Sequence, residues 1–107
     1  MTTHTAPEGP VTEMVELQVA EGAAEAFEAA VAEAEPLFRE HGATSFILRR
    51  QVEEPQRYRL LVDWPTIEAH TVDFRESEAF PAWRVLVTPH LAQAPQATHW
   101  TAVTAQG

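Results

Sequence analysis

Two consecutive segments, TSFILRRQV at 44–52 and RYRLLVDW at 57–64, alternate as strands and still carry apolar residues on both faces. Phe46, Leu48 and Val52 share one face of the first segment with Arg50. Tyr58, Leu60, Val62 and Trp64 share one face of the second, while Ile47 and Leu61 point the other way. A strand pair that is apolar on both sides needs cover on both sides. Helices supply one layer. The other layer requires a second sheet, and a chain of 107 residues has no strands left to build one. The charged EEPQ between the segments has hairpin length.

The remaining elements fall around this pair. VTEMVELQV at 11–19 places Val11, Val15, Leu17 and Val19 at even spacing, as a strand does. In 22–41, Phe27, Val31, Ala34 and Phe38 line one face of a helix. Gly22 stands as its N-cap, Gly42 suits a left-handed stop, and Pro36 predicts a kink in the last turn. Segments 66–74 and 77–91 read as helices capped by Thr66 and Ser77, and Phe80, Trp83 and Val87 share a face of the second. ATHWTAVT at 97–104 reads as a last strand, with His99 on the face opposite Trp100. The order β-α-β-β-α-β defines an α+β, ferredoxin-like domain with an antiparallel sheet and helices on one face. The bare face is expected to pack on a second copy, giving a homodimer in which two sheets wrap into a dimeric α/β barrel. One domain is expected over 11–104, with a polar leader at 1–10 and a short tail at 105–107.

Composition narrows the chemistry. No Cys is present, which removes disulfides and thiolate nucleophiles, and the absence of Lys removes Schiff-base chemistry. The formal net charge of −9 has no basic stripe to offset it, so neither nucleic acid nor an acidic membrane surface is expected as a partner. No apolar run reaches the ~20 residues of a membrane span, and the N-terminus lacks the pattern of a signal peptide, so a cytoplasmic location is expected. His4, His41, His70, His90 and His99 show no metal-ligand spacing, and no metal site is expected. Neither a dinucleotide fingerprint nor a nucleophile elbow occurs, so a neutral or apolar small molecule remains as partner and no cofactor is expected.

After the strand ending in Trp64 comes Glu68-Ala69-His70, then Phe74-Arg75-Glu76-Ser77 and Phe80-Pro81-Ala82-Trp83-Arg84. This pattern, W-x3-EAH-x3-FRxS-x2-F-x2-W, resembles the antibiotic biosynthesis monooxygenase family of dimeric α+β barrels. The resemblance implies a cleft between helices and sheet. It also implies one of three activities: cofactor-free oxygenation of polycyclic quinols, haem degradation, or the handling of small quinones. Trp64 matches the Trp that ends the third strand in the quinol oxygenases, and Leu60 stands where those proteins carry Asn. The haem branch carries an Asn on its first strand and a His ten residues after the Trp, where this chain has Phe74.

The expected site follows from these residues. Trp64, Phe74, Phe80 and Trp83 form walls for a flat ring, with Leu60 beside them. His70, with an ordinary pKa of about 6.5, serves as proton acceptor. The Trp64 indole or Arg50 serves as donor to developing negative charge. The reading is a cofactor-independent monooxygenase acting on an aromatic, quinol-type substrate. The alternatives are a non-catalytic dimer that binds a small hydrophobe and, third, a haem protein.

Overall fold

A computed structural model describes residues 9–103. The leader expected at 1–10 lies outside the described residues except for Gly9 and Pro10, and the tail at 105–107 lies outside them entirely. Strands β1 (Val11–Gln18), β2 (Ser45–Arg50), β3 (Arg57–Trp64) and β4 (Gln96–Trp100) form one antiparallel sheet in the order β2-β3-β1-β4. Helix α1 (Ala24–Arg39) connects β1 to β2. A π-helical segment (Ala69–Phe74), helix α2 (Ala79–Val87) and a 3-10 turn (Thr88–His90) connect β3 to β4. This is the ferredoxin-like arrangement expected from the order of elements. No helix among the described residues is long and apolar enough to cross a membrane.

The helices cover one face only. Val11, Val15, Leu17, Tyr58, Leu60, Val62 and Trp64 point inward and are at most 4% exposed. Phe27, Val31, Ala34 and Phe38 of α1 meet them, as the helical spacing requires. The helix starts at Ala24 behind Ala23, so Gly22 is not its cap. The helix runs through Pro36 to Arg39, and the Pro36 carbonyl still accepts the Glu40 N–H at 2.9 Å. Gly42 then adopts φ +102°, a left-handed geometry that glycine takes without Cβ strain.

Two departures from the sequence reading shape the site. The segment after β3 begins as expected: the Thr66 hydroxyl accepts the Ala69 N–H at 3.1 Å. It then widens into a π-helix, closed by the Arg75 N–H on the His70 carbonyl at 3.0 Å. His70 and Phe74 both lie on its buried side. The last strand stops at Trp100 rather than continuing toward 104.

The outer face of the sheet carries no layer in the described chain. Its central row reads Ile47, Leu61, Met14 and Thr98 across the four strands, and Trp100 lies one row away beside Thr12. Ile47 is 42% and Trp100 56% exposed. The expected two-sided apolarity is thus present, and the described chain covers one side.

Candidate active site

Strand alternation places Glu13 on the inward face, in phase with Val11, Val15 and Leu17. It is 4% exposed, and a carboxylate so buried requires partners. Two are present. The Trp64 indole N–H donates to Oε1 at 3.0 Å, and His70 Nε2 lies 3.1 Å from Oε2. His70 is itself 1% exposed. Its other nitrogen, Nδ1, lies 2.7 Å from Nε2 of His99. His99 is the direct cross-strand neighbour of Glu13 on β4, so the register of β1 with β4 brings the fourth group to the cluster.

An ionised carboxylate only accepts hydrogen bonds, so His70 carries a proton on Nε2. When neutral, His70 then presents a lone pair at Nδ1 and takes the hydrogen bond of His99 Nε2–H. That leaves His99 Nδ1 as the free basic nitrogen of the chain. The pKa of His99 is lowered from the ordinary histidine value. Burial is the main cause, and the positive charges of His70 and then Arg75 add to it against the opposing pull of Glu13. His99 is therefore neutral, and available as a base, near neutral pH. It is half-buried, whereas Glu13 and His70 are sealed. On the inner side of β4 the neighbouring Ala97 is exposed, so His99 is the outlet of the cluster toward solvent.

The expected wall residues gather beside this cluster. The Trp64 and His70 rings stack at 5.5 Å, His70 and Phe74 at 6.0 Å, and Phe80 meets Phe74 edge-on at 6.1 Å. The cleft expected among Trp64, His70, Phe74 and Trp83 is filled. Phe38 of α1 stacks on Phe74 at 4.5 Å, meets Trp83 edge-on at 5.1 Å and approaches Trp64 at 6.1 Å. All five side chains belong to residues at most 5% exposed. The Trp64 N–H is committed to Glu13, so it is not free to meet a developing charge.

Leu60 and Arg50 lie elsewhere. Leu60 is fully buried in the sheet face. Arg50 pairs with Tyr58, six residues along β3 from Trp64, or about 20 Å away. There it reaches the Pro55 carbonyl at 2.6 Å and Glu28 at 3.7 Å, over the Tyr58 ring. Tyr58 donates to Glu28 at 2.5 Å, and its pKa is pushed up to about 12 by burial first and then by that carboxylate. This second polar group ties α1 to β3 and stands apart from the histidines.

The sequence reading passed over Glu13 and His99. Glu13 had a signal: it is the acid that shares the parity of the buried valines in β1. His99 had a weaker one, its place opposite Trp100 on a strand with few apolar residues.

A buried acid-imidazole pair with an aromatic cluster against it thus sits on the inner face of a small ferredoxin-like α+β domain. The chain belongs to the antibiotic biosynthesis monooxygenase family, whose pattern matches residues 10–85. It is 33% identical over 91 residues to the protein YczJ of Bacillus subtilis (strain 168), covering 84% of this chain and 96% of that one. A crystal structure from Bordetella bronchiseptica that carries the same family description is 43% identical. It superposes with a TM-score of 0.86, covering 90% of this chain and 99% of that one. SnoaB, a cofactor-independent oxygenase from Streptomyces nogalater, shares the fold at a TM-score of 0.79. The two are 18% identical, and the match covers 91% of this chain and 96% of SnoaB.

Proposed function

We propose that the chain is a cofactor-independent monooxygenase that deprotonates an aromatic, quinol-type or anthrone-type substrate and lets dioxygen react with the resulting anion. The observation that carries this reading is the continuous path Glu13–His70–His99, sealed at the acid and open at His99. A substrate hydroxyl or acidic C–H meets His99 Nδ1, and the positive charge is drawn inward to the ion pair of His70 with Glu13. Trp64 acts as a positioning residue by holding the other carboxylate oxygen.

The substrate's own electrons then suffice. Its anion passes one electron to dioxygen, and the radical pair combines to form a C–O bond. The proton held by the histidines returns to the peroxide oxygen. Loss of the adjacent C–H proton with cleavage of O–O yields the carbonyl product and one water. The substrate is oxidised by four electrons, and dioxygen is reduced by the same four. The protein supplies orientation and a base of matched pKa.

The same reading assigns the outer sheet face, with Ile47, Leu61, Met14 and Trp100, to contact with a second copy. It places the substrate's rings against the edge of the Phe74, Phe80 and Trp83 cluster, where displacement of Phe38 admits them.

Oxygen uptake with anthrone and a dihydroxynaphthalene as probes tests the activity. Uptake above the protein-free rate is expected, one dioxygen per product, falling about 100-fold or more in His99→Ala and in His70→Ala. Saturable binding of the probes with no oxygen uptake across the panel overturns the enzyme in favour of a binding module.

A further inference from the structure

On the outer face, two successive rows across the sheet are polar and positively charged. One row is Arg49, Arg59, Glu16 and Gln96, in the order of the strands. The next includes Arg57 and Gln18, which are themselves cross-strand partners. These residues line a surface cavity of about 300 Å³, together with Arg50 and Gln51. Four of the chain's seven basic residues thus border one cavity on a protein of net charge −9.

Among the described residues, three of the four arginines have a glutamate partner, and Arg49 is the one left over. Arg59 meets Glu16 at 3.3 Å, Arg57 meets Glu54 at 3.4 Å and Arg50 meets Glu28 at 3.7 Å. Arg49 makes no salt bridge among the described residues, and it stands directly opposite Arg59 in the register of β2 with β3. Like charges directly opposed across a strand pair are destabilising. A bound oxyanion relieves that repulsion, and the guanidinium fork suits it. One carboxylate, Glu16, also lines the cavity, and its contact with Arg59 at 3.3 Å leaves Arg49 as the guanidinium open to an anion; the more distant carboxylates are screened beyond about 8 Å at physiological salt. The glutamines add neutral donors and acceptors at the rim.

We infer that this cavity binds a small oxyanion, a phosphate or carboxylate group, between Arg49 and Arg59 with Arg57 beside them. The site shares the outer face assigned above to a second copy, one row along from Ile47, Leu61 and Met14, and the histidine path lies on the opposite face, so anion binding is read separately from oxygen uptake.

Calorimetric titration of the full chain with inorganic phosphate, at constant ionic strength held with chloride, tests it, with succinate as a second arm. Saturable binding is expected in at least one arm, and the tighter arm identifies the group as phosphate or carboxylate. Arg49→Gln and Arg57→Gln are each expected to weaken it about tenfold or more. Without added anion, Arg49→Gln is expected to melt no lower than the parent, since it removes a like-charge pair. Heats that do not saturate, or affinities unchanged in both variants, overturn the site. A lower melting temperature for Arg49→Gln without anion overturns the repulsion on which it rests.

Discussion

Glu13→Ala is expected to lower the unfolding free energy by about 2–6 kcal/mol, the sum for two buried donors left without an acceptor at roughly 1–3 kcal/mol each. The carboxylate accepts from both Trp64 and His70 in a setting that is 4% exposed, so its loss strands two buried N–H groups. Glu13→Gln keeps the shape and one acceptor oxygen, and is expected to cost less. Its amide NH2, facing His70, forces the imidazole to offer a lone pair at Nε2 and a proton at Nδ1. His99 must then accept rather than donate, and the direction of the path reverses. Stability is therefore expected to recover in the glutamine variant while oxygen uptake stays as low as in the alanine variant. Denaturant unfolding and oxygen uptake on both proteins check this. Equal unfolding free energies for Glu13→Ala and the parent contradict it.

Phe38→Ala carries the second large effect, about 3–5 kcal/mol, because the ring is 1% exposed and contacts Phe46, Trp64, Phe74 and Trp83. The cavity left behind has aromatic walls, and a ligand that binds only the folded state raises the apparent stability. Saturating benzene is expected to return part of the lost melting temperature in Phe38→Ala and to leave the parent unchanged. Phe38→Leu, which fills more of the space, is expected to cost less and gain less from benzene. An alanine variant indifferent to benzene shows that the core collapses around the missing ring and gives an aromatic substrate no space there.

Much of the fold was legible because its signals are local. The alternation of 57–64 defines β3 to the residue, and the spacing of Phe27, Val31, Ala34 and Phe38 defines the buried side of α1. The aromatic positions after Trp64 also mark the cluster that forms there. What escaped depends on pairing across the chain. Glu13 lies 51 residues from Trp64, and His99 lies 29 from His70. The registers of β1 with β3 and β4, and the packing of the π-helix on the sheet, bring them together. The π-helix rests on hydrogen bonds of longer reach, such as that from the Arg75 N–H to the His70 carbonyl, which no local propensity announces. The filling of the cleft by Phe38 is a matter of helix placement rather than of helix formation. Arg50 shares the parity of Phe46 and Leu48, but that parity says nothing of its distance along the sheet from Trp64.

The central claim is that a buried carboxylate sets the direction of a two-histidine proton path ending at His99. Nitrogen-15 NMR of the imidazoles, followed through a pH titration, reads this directly. The expected spectrum has both rings in the Nε2–H tautomer once His99 is neutral, with His99 Nδ1 unprotonated and titrating below the ordinary histidine value of about 6.5. A His70 ring found in the Nδ1–H form, or a His99 that titrates above that value, contradicts it.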